Sequence, residues 1–245
     1  MKGIIFDVGG VLRDSSGEAM FYSFQQAFES LGVPYTLTLT QTRHLRALEN
    51  INSIRRFIHA YLVAKEELAS LLDLPYQEAY QRAQEYLSQE VDQDLVHNIH
   101  LKFHEIRMKP EVVSLIKPIP KNRTRFLEQL SRQFPLGIVT NSRRATLENE
   151  LGEDLRFFKA IIAHEDLKHK KPHPEGLLKA SQALGIKPSQ GLYVGDSVSD
   201  YRAAQAAHMP FIAVLTGSLN QRWAKDLGIL TLPDVSYLLI SEADL

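Results

Sequence analysis

Apolar positions in this chain follow two kinds of pattern. At the N-terminus a short run, Ile4 to Phe6, ends in a carboxylate, Asp7, with Gly9 and Gly10 close behind. That pattern predicts a buried strand delivering an acid to its C-terminal end, where the chain turns. Glu18 to Leu31 then shows helical spacing through Met20, Phe24, Ala27, Phe28 and Leu31, and Gly32 is a natural stop. Residues 33–42 read as a polar, Thr-rich loop. From Arg43 to Met108 only helical patterns occur, in segments near 43–62, 65–73, 76–90 and 92–107. Pro75 and the region of Asp92 mark breaks.

After Lys109-Pro110 the rhythm changes. Residues 117–122 carry two prolines and read as a linker. A short helix near 123–133 comes next, and then strands alternate with helices. Strands are predicted at Leu136–Val139, Lys159–Ala163, Leu192–Val194, Phe211–Leu215 and near 228–231. The helices between them fall near 143–151, 174–184, 199–207 and 219–227. Such alternation implies a mostly parallel, Rossmann-like sheet with helices on both faces, an α/β fold. The opening strand belongs to that sheet, so the helical block is an all-α helical bundle inserted after it. Residues 1–15 and 116–245 are expected to form the core, and 16–115 the insert.

Composition narrows the function classes. A formal net charge of -1 gives no bulk field toward nucleic acid or an anionic membrane. The 245 residues include no cysteine, which excludes disulfides, thiolate metal sites and cysteine nucleophiles, and fits a cytoplasmic protein. The N-terminus lacks the pattern of a signal peptide, and no apolar run approaches the roughly 20 residues that span a bilayer. The expected partner is a small molecule, with the chain a monomer or homodimer.

Three predicted strands end in polar residues: Asp7, Thr140-Asn141-Ser142, and Asp196. In a parallel sheet these ends share one edge, where ligands of open α/β sheets bind. Asp200 follows Asp196 at the start of the next helix, and Lys171 precedes Pro172 ahead of another. Converging carboxylates call for a hard cation, and Mg²⁺ suits oxygen ligands. A hydroxyl, backbone N–H groups and a lysine suit phosphate oxygens. A carboxylate facing that phosphate can act as a nucleophile.

Four segments resemble, in order and spacing, the four motifs of the haloacid dehalogenase superfamily. They are Phe6-Asp7-Val8-Gly9-Gly10-Val11-Leu12, Val139-Thr140-Asn141-Ser142, Lys171-Pro172-His173-Pro174 and Gly195-Asp196-Ser197-Val198-Ser199-Asp200. The inserted bundle resembles the family's C1 cap. The resemblance implies a Mg²⁺-dependent phosphatase, a phosphoric monoester hydrolase acting on a small phosphorylated metabolite. It makes Asp7 the nucleophile and a metal ligand, with Gly9 lending its backbone carbonyl to the metal. Thr140 and the Asn141 backbone would bind the phosphoryl group, and Lys171 would neutralise Asp7 and phosphate. Asp196 would bind Mg²⁺, and Asp200 would ligate it or support it.

One position departs from the pattern. Family phosphatases carry an acid two residues after the nucleophile, and here Gly9 stands there. General acid–base help is worth about 10² to 10⁴ in rate. Asp14, Ser15 or His169 is a candidate substitute, each with a surface or turn role as its alternative. The readings left open are a slow or specialised phosphatase, a phosphonatase or dehalogenase, and a phospho-ligand-binding protein. A phosphomutase needs the missing acid, and a dehalogenase has no use for Asp196 and Asp200.

Other residues carry weaker signals. Arg43 and Arg46, where a C1 cap reaches over its site, are candidates for gripping substrate or for a solvated helix face. Arg143, Lys168, His169 and Lys170 either extend an anion site or cover the surface. Tyr76, Tyr80 and Tyr86 read as bundle packing and His208 as a turn residue. Val235 to Ile240 forms an apolar stretch suited to a final helix or strand or a dimer contact.

Overall fold

The computed structural model describes residues 1–239. In chain order the strands are β1 (Gly3–Phe6), β2 (Leu136–Val139), β3 (Phe158–Ile162), β4 (Gly191–Gly195), β5 (Phe211–Val214) and β6 (Thr231–Leu232). The helices ahead of β2 are α1 (Glu18–Glu29), α2 (Leu39–Leu45), α3 (Ile54–Val63), α4 (Tyr76–Leu87), α5 (Gln93–Arg107), α6 (Pro110–Val113) and α7 (Arg123–Ser131). Those after it are α8 (Arg144–Leu151), α9 (Glu175–Ala183), α10 (Val198–Ala206) and α11 (Gln221–Asp226). Val235–Leu239 forms a short 3₁₀ turn. Ile240, the end of the apolar stretch noted in the sequence, lies outside the described residues.

The chain divides into two compact units. Among the described residues, the α/β unit holds Met1–Asp14, Pro118–Thr216 and residues 228–239. Its sheet has six strands in the order β3-β2-β1-β4-β5-β6. Every pairing in it is parallel. β1 is central, and the strand order reverses direction there, with β2 on one side and β4 on the other. Strand alternation sends Ile4 and Phe6 to one face with Phe126, Leu130 and Leu147. Ile5 goes to the other, with Leu177, Ala180 and Ala203. Helices α7 and α8 thus cover one face, and α9 and α10 the other.

The helical unit holds Ser15–Lys117 and Gly217–Leu227. Its core is aromatic: Phe24 lies 4.7 Å from Phe57 and 4.6 Å from Phe103, and Phe28 lies 4.6 Å from Tyr61. This joins α1, α3 and α5. Two expectations need correction. The continuous helix over 43–62 is broken between α2 and α3. Thr38 starts α2 with a capping box to Gln41, and Ser53 caps α3 afresh. The segment 217–227, expected in the α/β core, packs with the helices. Trp223 is fully buried, its indole N–H donates to the Leu74 carbonyl at 3.0 Å, and its ring meets Tyr76 edge-on at 5.6 Å. Those partners lie about 150 residues away in sequence, beyond the reach of any local pattern.

Candidate active site

Within the α/β unit, β1, β2 and β4 end at Asp7, Thr140 and Asp196, three consecutive positions across the sheet edge. The turn after β1 is tight. Gly10 takes a φ of 74°, which favours glycine, and its carbonyl accepts a hydrogen bond from Thr216 Oγ1 at 2.6 Å. Gly9 lies in this turn, bridged to Arg13. Asp7, Asp196 and Asp200 each place a carboxylate oxygen within 4.8 Å of the others, and all three are buried.

Lys171 closes the group. Its Nζ donates to Asp7 Oδ1 at 2.8 Å and to Asp200 Oδ1 at 2.5 Å, and its side chain is only 5% exposed. Tyr193 completes a triangle, donating its hydroxyl to Asp200 Oδ1 at 2.7 Å and lying 2.9 Å from Lys171 Nζ. Asp200 Oδ2 accepts from Ser197 Oγ at 2.6 Å and from the Asp196 and Ser197 amides at 3.2 Å. Gly195 permits this approach, since a Cβ there would sit 2.5 Å from Asp200 Cβ.

The charges follow from burial. Desolvation raises the pKa of Asp7 above the ordinary carboxylate value; Lys171 opposes this and Asp200 adds to it. Asp200 also suffers desolvation, yet the charge of Lys171 and bonds from Lys171, Ser197 and Tyr193 outweigh it and leave its pKa lowered. For Lys171, burial is outweighed by Asp200 and Asp7, so its pKa is raised and it stays an ammonium. Burial, then Asp200, pushes the Tyr193 phenol well above its ordinary range, so it remains a proton donor.

The donor set fits a hard cation. It offers carboxylate oxygens alone, in a buried group whose excess negative charge one ammonium only partly offsets. Asp200 spends both oxygens on five hydrogen bonds.

The family resemblance implies a role for the Asn141 backbone. The structure adds a side-chain role, because Asn141 Oδ1 accepts from the Lys171 amide at 3.1 Å and Nδ2 donates to its carbonyl at 3.4 Å. Thr140 is 2% exposed, and its hydroxyl accepts from the Ser142 amide at 3.2 Å. The loop carrying Lys171 is held by Glu175, which accepts from the amides of Lys168 and His169. His169 itself is exposed, its ring against His173. Arg143 is exposed ahead of α8, and His208 sits at a φ of 52° in the turn after α10.

Arg43 and Arg46 belong to the helical unit and are half-buried; Arg46 donates to the Asn52 carbonyl at 2.8 Å. Arg13 is a residue the sequence reading missed. It is 7% exposed, pairs with Glu150, and directly follows the turn after Asp7. Nearby, Arg123 donates to Asp154 at 2.8 Å and to the Leu12 carbonyl at 3.1 Å. An arginine beside an apolar run was the available signal for Arg13, but its partner lies 137 residues on.

A family model described as haloacid dehalogenase-like hydrolase matches residues 57–214. The chain is 38% identical over 114 residues to the phosphoglycolate phosphatase of Escherichia coli (strain K12), covering 46% of this chain and 44% of that protein. It is 41% identical over 85 residues to the phosphoglycolate phosphatase of Salmonella choleraesuis, covering 34% and 33%. The aligned region thus spans less than half the length of these curated relatives. A haloacid dehalogenase-like family hydrolase from Streptococcus pneumoniae superposes with a TM-score of 0.63 at 19% identity, over 97% of both chains. A haloacid dehalogenase superfamily hydrolase of subfamily IA from Geobacter sulfurreducens does so at 0.56 and 23% identity, over 98% of this chain and 95% of that one. At these identities the two structures speak for the fold alone.

Proposed function

The chain belongs to the haloacid dehalogenase-like hydrolases, and from that premise we propose that it is a Mg²⁺-dependent phosphatase working through an aspartyl-phosphate on Asp7. The observation that carries the reading is Lys171 Nζ held between Asp7 and Asp200, with Asp196 alongside, at one edge of the sheet. Asp7, Asp196 and the Gly9 carbonyl would hold Mg²⁺, which supplies positive charge to the phosphoryl oxygens and to Asp7.

In this reading a phosphate monoester enters with its phosphorus facing Asp7. Thr140 donates its hydroxyl, and Asn141 its backbone N–H, to the transferring phosphoryl group. Lys171 opposes the rise in the Asp7 pKa that burial causes and offsets phosphate charge as the oxygen–phosphorus bond forms. The leaving oxygen departs with a proton from solvent, because Gly9 offers none. Water then attacks the phosphorus of the aspartyl-phosphate, releasing inorganic phosphate and restoring Asp7. Asn141 and Glu175 serve by fixing the loop that carries Lys171.

The relatives point to small phosphorylated carboxylates such as 2-phosphoglycolate as the first substrates to try. Arg43 and Arg46 are then the candidates for the substrate's carboxylate, and the cytoplasm is the expected compartment. Gly9 favours one second reading, a protein that binds phosphate esters and turns them over poorly.

The test is a panel of small phosphate monoesters, with and without Mg²⁺, on wild type and Asp7→Asn. The proposal expects Mg²⁺-dependent phosphate release that Asp7→Asn abolishes. Release indifferent to Asp7→Asn would overturn it, and binding of a phosphate mimic without release would favour the second reading.

A further inference from the structure

Helix α5 carries His97, His100 and His104, at spacings of three and four residues that put all three on one side of the helix. The last two are in direct contact. Their Nε2 atoms lie 3.2 Å apart, and the rings meet at 76° with centroids 4.6 Å apart. We propose that His100 and His104 form a two-imidazole site for a divalent transition-metal ion of the zinc or nickel kind, remote from the carboxylates of the α/β unit in sequence and different from them in chemistry.

The distance argues for it. Two histidine nitrogens bound to one Zn²⁺ at about 2.0–2.1 Å in tetrahedral array stand about 3.3 Å from each other. The Nε2 pair is therefore already at the separation a shared ion requires. Desolvation lowers the pKa of His100, and the charges of His104, Arg55 and His97 lower it further. His104 is exposed and His100 half-buried, so an ion can arrive from solvent with water filling its remaining positions. Imidazole selects against Mg²⁺, so the two sites take different ions.

Binding of Zn²⁺ to the whole protein, followed by calorimetry with Mg²⁺ in excess to occupy oxygen sites, tests this. One Zn²⁺ per chain is expected, with a rise in melting temperature. His100→Ala and His104→Gln should each weaken binding by at least about tenfold, since even an outer partner of a metal ligand is worth that much. Both variants should keep the wild-type circular dichroism spectrum. Zn²⁺ binding unchanged in both, or no binding by wild type, would overturn the site and leave only a hydrogen bond between two rings. Neither result bears on the phosphatase proposal.

Discussion

The Tyr193 hydroxyl donates to Asp200 Oδ1 at 2.7 Å, deep in the α/β unit and in contact with Lys171 Nζ. Two groups that anchor Lys171 are thereby locked together. Tyr193→Phe keeps the ring, which packs beside Phe211, and removes only the hydroxyl. The loss of a buried hydrogen bond to a charged group is worth about 1.5–3 kcal/mol, and kcat is expected to fall by roughly ten-fold or more. Steady-state kinetics with Mg²⁺ checks this. An unchanged kcat would show that Lys171 needs no help from Tyr193.

Lys171 is the sole cation bonded to the Asp7–Asp200 pair among the described residues. Lys171→Met leaves two buried carboxylates without it. Breaking a buried ion pair on one side costs about 3–5 kcal/mol, and urea unfolding should show a loss of that order. A second expectation gives the pH sign. Without Lys171 the carboxylates take up protons more readily in the folded state than in the unfolded one, so the variant's stability should recover as pH falls toward the carboxylate range. A deficit that stays flat with pH would contradict this account.

Glu175 offers a pH test at a residue outside the buried group. It titrates at about 2 in the folded protein against an ordinary 4.5, held down first by Lys179 and then by the amides of Lys168 and His169. A depressed carboxylate contributes stability above its unfolded value, and the contribution fades as pH falls from 4.5 toward 2. Glu175→Gln removes it. The difference in melting temperature between wild type and variant should therefore be full near neutral pH and shrink through that window. A difference independent of pH would show that Glu175 acts by shape alone.

Much of this was legible in the sequence, and the residues show why. A buried strand ending in a polar residue is a local pattern, so the sequence alone pointed to Asp7, Thr140 and Asp196, and β2 falls where its apolar run predicts. The direction of each side-chain bond is a different matter. Tyr193 looks like one more apolar residue in β4 until the fold brings Asp200 and Lys171 to its hydroxyl. The Asn141 amide finds Lys171 across 30 residues of sequence. Helical periodicity also runs through 46–53 without a fault, and only the Ser53 cap reveals the break.

Trp223 shows the same limit and yields a stability prediction. It is wholly buried in the helical unit, in a segment, Gly217–Leu227, that is far in sequence from the rest of that unit, Ser15–Lys117. Trp223→Ala removes the ring against Tyr76 and the bond to Leu74, and large-to-small changes of this kind cost about 3–5 kcal/mol. Denaturant unfolding should register that loss. A cost under about 1 kcal/mol would contradict the packing of 217–227 with the helices.

Gly9 lies two residues after Asp7, and Gly9→Asp tests whether an acid at that position would raise turnover. If proton supply to the leaving oxygen limits the rate, turnover should rise, by up to about 10²-fold or more for poor leaving groups. An unchanged or lower rate would place the limit elsewhere.

The central claim is that Asp7 itself takes the phosphoryl group. Wild-type protein with Mg²⁺ and a phosphorylated substrate, quenched rapidly in acid and digested, shows by mass spectrometry where a phosphoryl group resides. The account predicts one phosphoryl group on the peptide bearing Asp7, absent without Mg²⁺ and absent in Asp7→Asn. Phosphate release with no phosphoryl group on that peptide, or with the group on another residue, would contradict it.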